Sequence, residues 1–123
     1  MEVLIFEDNT NWQEMWTDLV NSNIKTALVK VAGDIVAARE LIETSAISAK
    51  VALVDGNLDS SVSGRDGREI EGLLRAKNPE IFVVDVSGFG NALLKPNAVF
   101  RKREINDQQA VTSLFQKINA LDQ

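Results

Sequence analysis

Three short, almost purely aliphatic runs punctuate this chain: Val3-Leu-Ile-Phe6, Val51-Ala-Leu-Val54 and Ile81-Phe-Val-Val84. A strand with one wet face alternates apolar with polar residues, so an unbroken run has to be covered on both faces. Between the runs, apolar residues recur at helical spacing, and strand alternating with helix specifies a parallel sheet sandwiched between helices. The first strand is expected over about residues 2–7. Asn9 or Thr10 then caps a helix carrying Trp12, Met15, Trp16, Leu19 and Val20, which ends in a turn at Asn21-Ser-Asn23. A second strand spans 26–31, and Gly33-Asp34 opens a helix with Ile35, Val36, Ala38, Leu41 and Ile42 toward the core. The third strand, 50–55, leads into a polar loop from Gly56 to Gly67. The third helix, with Ile70, Leu73 and Leu74 inward, ends near Asn78-Pro79 and delivers the fourth strand at 81–86. Ser87 to Asn91 reads as a loop, 92–97 as at most a short helical turn, and 98–102 as strand five. Asn106 or Asp107 starts the last helix, through Leu121. The fold class is α/β: a flavodoxin-like, doubly wound, five-stranded parallel sheet in the order 2-1-3-4-5 with a reduced fourth helix.

The ends of the runs carry the chemistry. Glu7-Asp8 closes the first and Asp55 the third strand, while strand four reaches a hydroxyl at Ser87 and the last run, Ala98-Val-Phe100, leads to Arg101 and Lys102. In an open parallel sheet the C-terminal strand edges lie together, so these acids converge on one crevice and repel one another unless a cation sits among them. Acids, a hydroxyl and an ammonium in that arrangement suggest a divalent-metal site that handles a phosphoryl group.

Composition narrows the metal. The 123 residues include no cysteine and no histidine, so thiolate and imidazole ligands, disulfides and imidazole-based catalysis are all excluded. An all-oxygen site suits a hard cation, and Mg2+ when a phosphate completes the shell. A net charge of −5, with Arg101-Lys-Arg103 the single short basic cluster, argues against nucleic acid as a partner. No apolar stretch approaches membrane-spanning length, and the chain starts in a strand without a basic leader, so no membrane contact and a cytoplasmic location are expected. The length fits one domain, residues 1–123.

The run Val3-Leu-Ile-Phe-Glu-Asp-Asn9 resembles the opening of receiver domains of two-component response regulators, and the resemblance extends over nearly the whole chain. It implies that Asp55 is the phosphoacceptor, and that Glu7, Asp8, Asp55 and the backbone carbonyl of Asn57 hold Mg2+. Asp66-Gly67 matches the pair that opens helix three, Ser87 the hydroxyl ending strand four, and Lys102 the lysine ending strand five. The partners it implies are a histidine kinase or phosphotransfer protein as donor and an unidentified downstream protein; kinase, signal and oligomeric state are not implied. Lys102 would offer a point charge to the phosphoryl oxygens, and Ser87 would bond one of them only after phosphorylation, which makes that contact a switch.

Several residues depart from the family pattern. The loop after Asp55 is longer, Asp59 stands in place of the usual proline, Val99 with Phe100 occupies the aromatic switch region, and Arg103 replaces the proline after the lysine. Lys95-Pro96 supplies the missing lysine-proline pair, which makes Lys95 the alternative to Lys102. Three readings follow: a stand-alone phosphoacceptor receiver, a pseudo-receiver serving as a constitutive protein-interaction module, and a small Mg2+ phosphohydrolase. The last lacks a general acid, because Asn57 cannot protonate a leaving group, so any enzymatic activity is expected to stop at self-phosphorylation and self-dephosphorylation. Outside the site, Trp12 and Trp16 read as a core or groove-lining pair, and Asp85 as a salt-bridged or exposed edge residue.

Overall fold

The computed structural model describes residues 1–56, 58, 65–87 and 94–122. Five parallel strands, β1 (Glu2–Phe6), β2 (Leu28–Ala32), β3 (Val51–Val54), β4 (Phe82–Asp85) and β5 (Ala98–Val99), form one sheet in the order β2-β1-β3-β4-β5. Among the described residues, four α-helices cover it: α1 (Thr10–Asn23), α2 (Ile35–Ser45), α3 (Arg65–Lys77) and α4 (Gln108–Asn119). The fold class read from the sequence is the one observed. No helix among the described residues is long and apolar enough to cross a membrane.

The unbroken aliphatic runs do what their pattern requires. Because side chains alternate across a strand, Leu4, Phe6, Ala52, Val54 and Val83 pack against Ala38, Ile42, Ile70 and Leu74 of α2 and α3. Val3, Ile5, Leu53, Val84 and Val86 face the other way, onto Trp16 and Val20 of α1 and Val111, Leu114, Phe115 and Ile118 of α4. Registers Phe6 with Val54 and Val54 with Asp85 bring the ends of the three central strands level. The residues that follow those ends therefore share one edge. The Asp55 amide donates to Phe6 O at 2.9 Å and the Val86 amide to Val54 O at 3.0 Å, extending the ladder into the site.

Helix starts follow their caps. Asn9 accepts from the Trp12 amide, Asp34 from that of Ala37, and Asp107 from those of Gln109 and Ala110. Several details differ from the sequence reading. Helix α1 runs through Asn21-Ser-Asn23 instead of turning there, and the Asn23 side-chain amide donates to Leu19 O at 2.8 Å inside its last turn. Val36 points outward, 69% exposed, and Leu73 is also exposed, because α2 and α3 each need only one stripe inward. Strand β5 stops at Val99, and Lys102 begins a 3-10 turn (Lys102–Glu104) in which Glu104 Oε1 accepts from the Arg101 amide at 2.9 Å. Asp85 is neither exposed nor at an edge. It is buried, and its Oδ1 accepts from the Ser87 amide at 2.9 Å, which closes the end of β4.

The described residues of the β4–β5 connection, 86–87 and 94–97, contain no helix. Residues 92 and 93 of the short turn expected there lie outside the described residues. The connection is tied to α3 instead: Arg75 donates to Lys95 O and Asn97 Oδ1, both at 3.1 Å, and the buried Glu71 accepts the Lys95 amide at 2.9 Å.

Candidate functional site

The C-terminal edge of the sheet gathers Glu7, Asp8 and Asp55, each offering a carboxylate oxygen within 4.8 Å of the others. Glu7 and Asp55 are buried and Asp8 is exposed, so the cluster has one wet side. The Lys102 ammonium reaches into it, 2.9 Å from Asp55 Oδ2 and 3.2 Å from Glu7 Oε1. The Ser87 hydroxyl oxygen accepts from the Gly56 amide at 2.9 Å, which places it beside the backbone that follows Asp55. Asp66 Oδ2 accepts from the Leu58 amide at 3.3 Å, and the Gly67 amide donates to Gly56 O at 3.0 Å, so the first turn of α3 holds the backbone that follows Asp55. Of the residues singled out by sequence, Glu7, Asp8, Asp55, Ser87 and Lys102 are brought to this edge. Lys95 is exposed, its backbone held by α3, and Asn57 lies outside the described residues.

Glu7 is the most constrained of the acids. Its Oε1 accepts from Trp16 Nε1 at 3.1 Å and its Oε2 from the Asn9 amide at 3.3 Å. The Glu7 amide donates to Ala32 O at 3.1 Å, and its carbonyl accepts from Gln13 Nε2 at 2.7 Å. A β-carbon at Gly33 would lie 2.9 Å from Gln13 Nε2, so the glycine lets that side chain sit where it does without shifting. Burial, then the neighbouring Asp55 charge and a hydrogen bond with Asp55, push the Glu7 carboxyl up to about 7; the Trp16 bond and the Lys102 charge only partly offset this. Burial alone would lower the Lys102 ammonium, but its hydrogen bond to Asp55 and the charges of Asp55 and Glu7 hold it above its ordinary value.

The donor set fits a hard divalent cation. Among the described residues, the side-chain donors are carboxylate oxygens of three acids, two of them buried, with one ammonium, that of Lys102, set against them. Lys102 supplies part of the compensation that a cation would complete.

The sequence reading put Trp12 and Trp16 in the core or along a groove and gave them no part in the site. Trp16 is indeed fully buried, but its one polar atom is spent on Glu7. Trp12 stacks on it with centroids 5.0 Å apart, and the Lys102 ammonium sits 5.3 Å from the Trp12 ring centroid. The available signal was position: an indole one helical turn beyond another, just after an acid pair, whose buried N–H had to find an acceptor.

No family profile matches the sequence, and no curated protein is similar enough to count as a match. Solved structures are similar. The signal receiver domain of a DNA-binding response regulator (merR) from Colwellia psychrerythraea 34H superimposes with a TM-score of 0.74 at 20% identity, covering 97% of this chain and 98% of that one. A CheY-like receiver domain from Methanospirillum hungatei JF-1 gives 0.75 at 16% identity, covering 98% and 95%. The beryllofluoride-activated DrrB receiver domain gives 0.68 at 13% identity, covering 94% and 97%. The chain has the fold of a response-regulator receiver domain.

Proposed function

We propose that residues 1–123 act as one phosphorelay receiver domain, with Asp55 accepting a phosphoryl group in the presence of Mg2+ and the modification switching a protein–protein interaction. The observation that carries this reading is the Lys102 ammonium bridging Asp55 and Glu7 beside Asp8, an acid cluster with its own counter-charge. Glu7, Asp8 and Asp55 would hold the metal, with the Asn57 carbonyl added by family resemblance. Bound there, Mg2+ supplies neutralisation of phosphoryl oxygen charge.

The chain's own residues do the rest. An Asp55 carboxylate oxygen forms the new bond to phosphorus while the bond from phosphorus to the donor breaks, its electron pair leaving with the donor. A histidine kinase or phosphotransfer protein fits as the donor, because this chain has no histidine to carry the phosphoryl group itself. Lys102 exchanges its contact with the Asp55 carboxylate for one with the phosphoryl oxygens. Ser87, already beside Gly56, turns its hydroxyl toward the new group, and that differential contact moves the end of β4. A cytoplasmic setting, where kinases act, belongs to the same reading.

A second reading, a pseudo-receiver acting as a constitutive interaction module, draws support from the Arg75 and Glu71 contacts that fix the β4–β5 connection to α3. A titration with Mg2+ and then beryllofluoride, followed by tryptophan fluorescence, separates the two. The phosphoacceptor responds to beryllofluoride only with Mg2+ present and loses that response in Asp55→Asn. A wild-type protein blind to both reagents would favour the interaction module.

A further inference from the structure

Two tryptophans on α1 touch two of the site's charged groups. Trp16, 0% exposed, donates its indole N–H to Glu7 Oε1 at 3.1 Å. On its other side it meets Phe100 edge to face, with centroids 6.0 Å apart and planes at 76°, so the ring is wedged between α1 and the segment that leads to Lys102. Trp12 is half-buried, lies 5.0 Å from Trp16 with planes at 30°, and presents its face to the Lys102 ammonium at 5.3 Å from the centroid. Any buried indole N–H needs an acceptor, but here the acceptor is a site carboxylate, and the neighbouring ring faces the site ammonium.

The chemistry of the two contacts differs. An indole N–H is a neutral donor, so it fixes the direction of the Glu7 carboxylate without cancelling its charge, as a lysine or arginine would. A π-face attracts an ammonium without competing as an anion for a cation. Lys102 thus has a third partner that remains when the acids turn to a metal and Glu7 no longer needs it.

We infer that Trp16 and Trp12 are positioning residues: Trp16 aims the Glu7 carboxylate at the cation site, and Trp12 holds the Lys102 ammonium over the acids when Glu7 releases it. The inference rests on the phosphoacceptor reading for what Lys102 later contacts, but the Trp16 half concerns Glu7 alone.

The test uses the full chain with Mg2+ and then beryllofluoride as probes. Trp16→Phe keeps an aromatic ring and removes the donor; it is expected to weaken Mg2+ binding about tenfold by calorimetry, the low end of the range for loss of an outer-shell hydrogen bond to a ligand. Trp12→Leu is expected to weaken beryllofluoride uptake at saturating Mg2+ more than Mg2+ binding itself, with Trp12→Phe restoring most of the loss. In the wild type, the 15N-labelled indole N–H resonance of Trp16 should follow the Mg2+ isotherm and should shift in metal-free Glu7→Gln. That resonance keeps the Trp16 half testable even if Trp16→Phe folds poorly.

Unchanged Mg2+ affinity in a folded Trp16→Phe, or an indole resonance indifferent to Glu7→Gln, overturns the role of Trp16. Equal losses for Trp12→Leu and Trp12→Phe overturn that of Trp12. If wild type takes up both probes and the variants match it, the inference fails and the phosphoacceptor reading stands. If wild type binds Mg2+ but never beryllofluoride, the phosphoacceptor reading and the Trp12 role fall together, and the indole resonance still decides Trp16.

Discussion

The Lys102 ammonium lies 2.9 Å from Asp55 Oδ2, across 47 positions of sequence. Its side chain is 21% exposed, so the pair is screened on one side only. Lys102→Ala leaves Glu7 and Asp55 facing each other without a cation between them. Removing one partner of a buried pair costs about 3–5 kcal/mol, and the partial exposure here brings the expected loss to roughly 1–3 kcal/mol. Urea unfolding in EDTA at pH 8 reads it directly, and added Mg2+ should recover part of the loss. Lys95→Ala, at an exposed side chain, should stay within about 0.5 kcal/mol of wild type. The reverse ranking would move the site lysine to position 95.

Glu7 makes the metal-free protein pH-sensitive in an unusual direction. Its carboxyl sits at about 7 in the fold against an ordinary 4.5, so between those values the folded protein keeps a proton that the unfolded chain has lost. Stability present below pH 4.5 is therefore lost as pH rises to 7, by about 3 kcal/mol at most. Unfolding free energies in EDTA from pH 4.5 to 8 should show wild type falling relative to Glu7→Gln. Mg2+ binding should strengthen through the same window, because the metal must displace that proton. Parallel curves for the two proteins would contradict the burial argument.

Much of this was legible in the sequence, and for identifiable reasons. Unbroken runs such as Val51–Val54 fixed the sheet as two-faced, and acids that end adjacent parallel strands have nowhere to go but one edge. What escaped were relationships set by side-chain direction. Nothing local says that Val36 lies outward or that Trp16 turns its N–H to Glu7, because both depend on the angle at which a helix crosses the sheet. The exposed-edge reading of Asp85 failed because an acid near a strand end usually seeks water, whereas here the Ser87 amide offers it a buried donor. The length of β5 was overestimated because Phe100 is buried and its amide still donates to Asp85 O at 2.9 Å, although the strand ends at Val99 and the Lys102 turn follows.

Ser87 ties the end of β4 to the backbone after Asp55 through the Gly56 amide. Ser87→Ala leaves that donor without its acceptor in a buried setting, a loss of about 1–3 kcal/mol. Amide hydrogen exchange at Gly56 should accelerate, while Ser87→Thr, which keeps the oxygen, should exchange like wild type. In the phosphoacceptor reading, Ser87→Ala should still take up beryllofluoride but transmit less of it to the end of β4. Unchanged Gly56 exchange in Ser87→Ala would show that the hydroxyl carries none of the load.

Arg75 tests how firmly the β4–β5 connection is held. Its guanidinium donates to Ile81 O at 3.3 Å, Lys95 O at 3.1 Å and Asn97 Oδ1 at 3.1 Å, while pairing with the buried Glu71 at 3.4 Å. Asn97 also accepts the Val83 amide at 2.8 Å, so the network fastens α3, β4 and the connection together. Arg75→Ala strands a buried carboxylate and frees three acceptors, for an expected loss of roughly 2–4 kcal/mol. Arg75→Ala/Glu71→Gln should regain part of it, since glutamine still accepts the Lys95 amide without an unpaired charge. The exchange rates of the Lys95 and Asn97 amides should rise in the single variant and fall back in the double. A rigid connection in wild type and a loosened one in Arg75→Ala would place control of this face in α3. Amides that exchange quickly in both would mean that the connection is free to move with β4, as a phosphorylation switch at Ser87 requires.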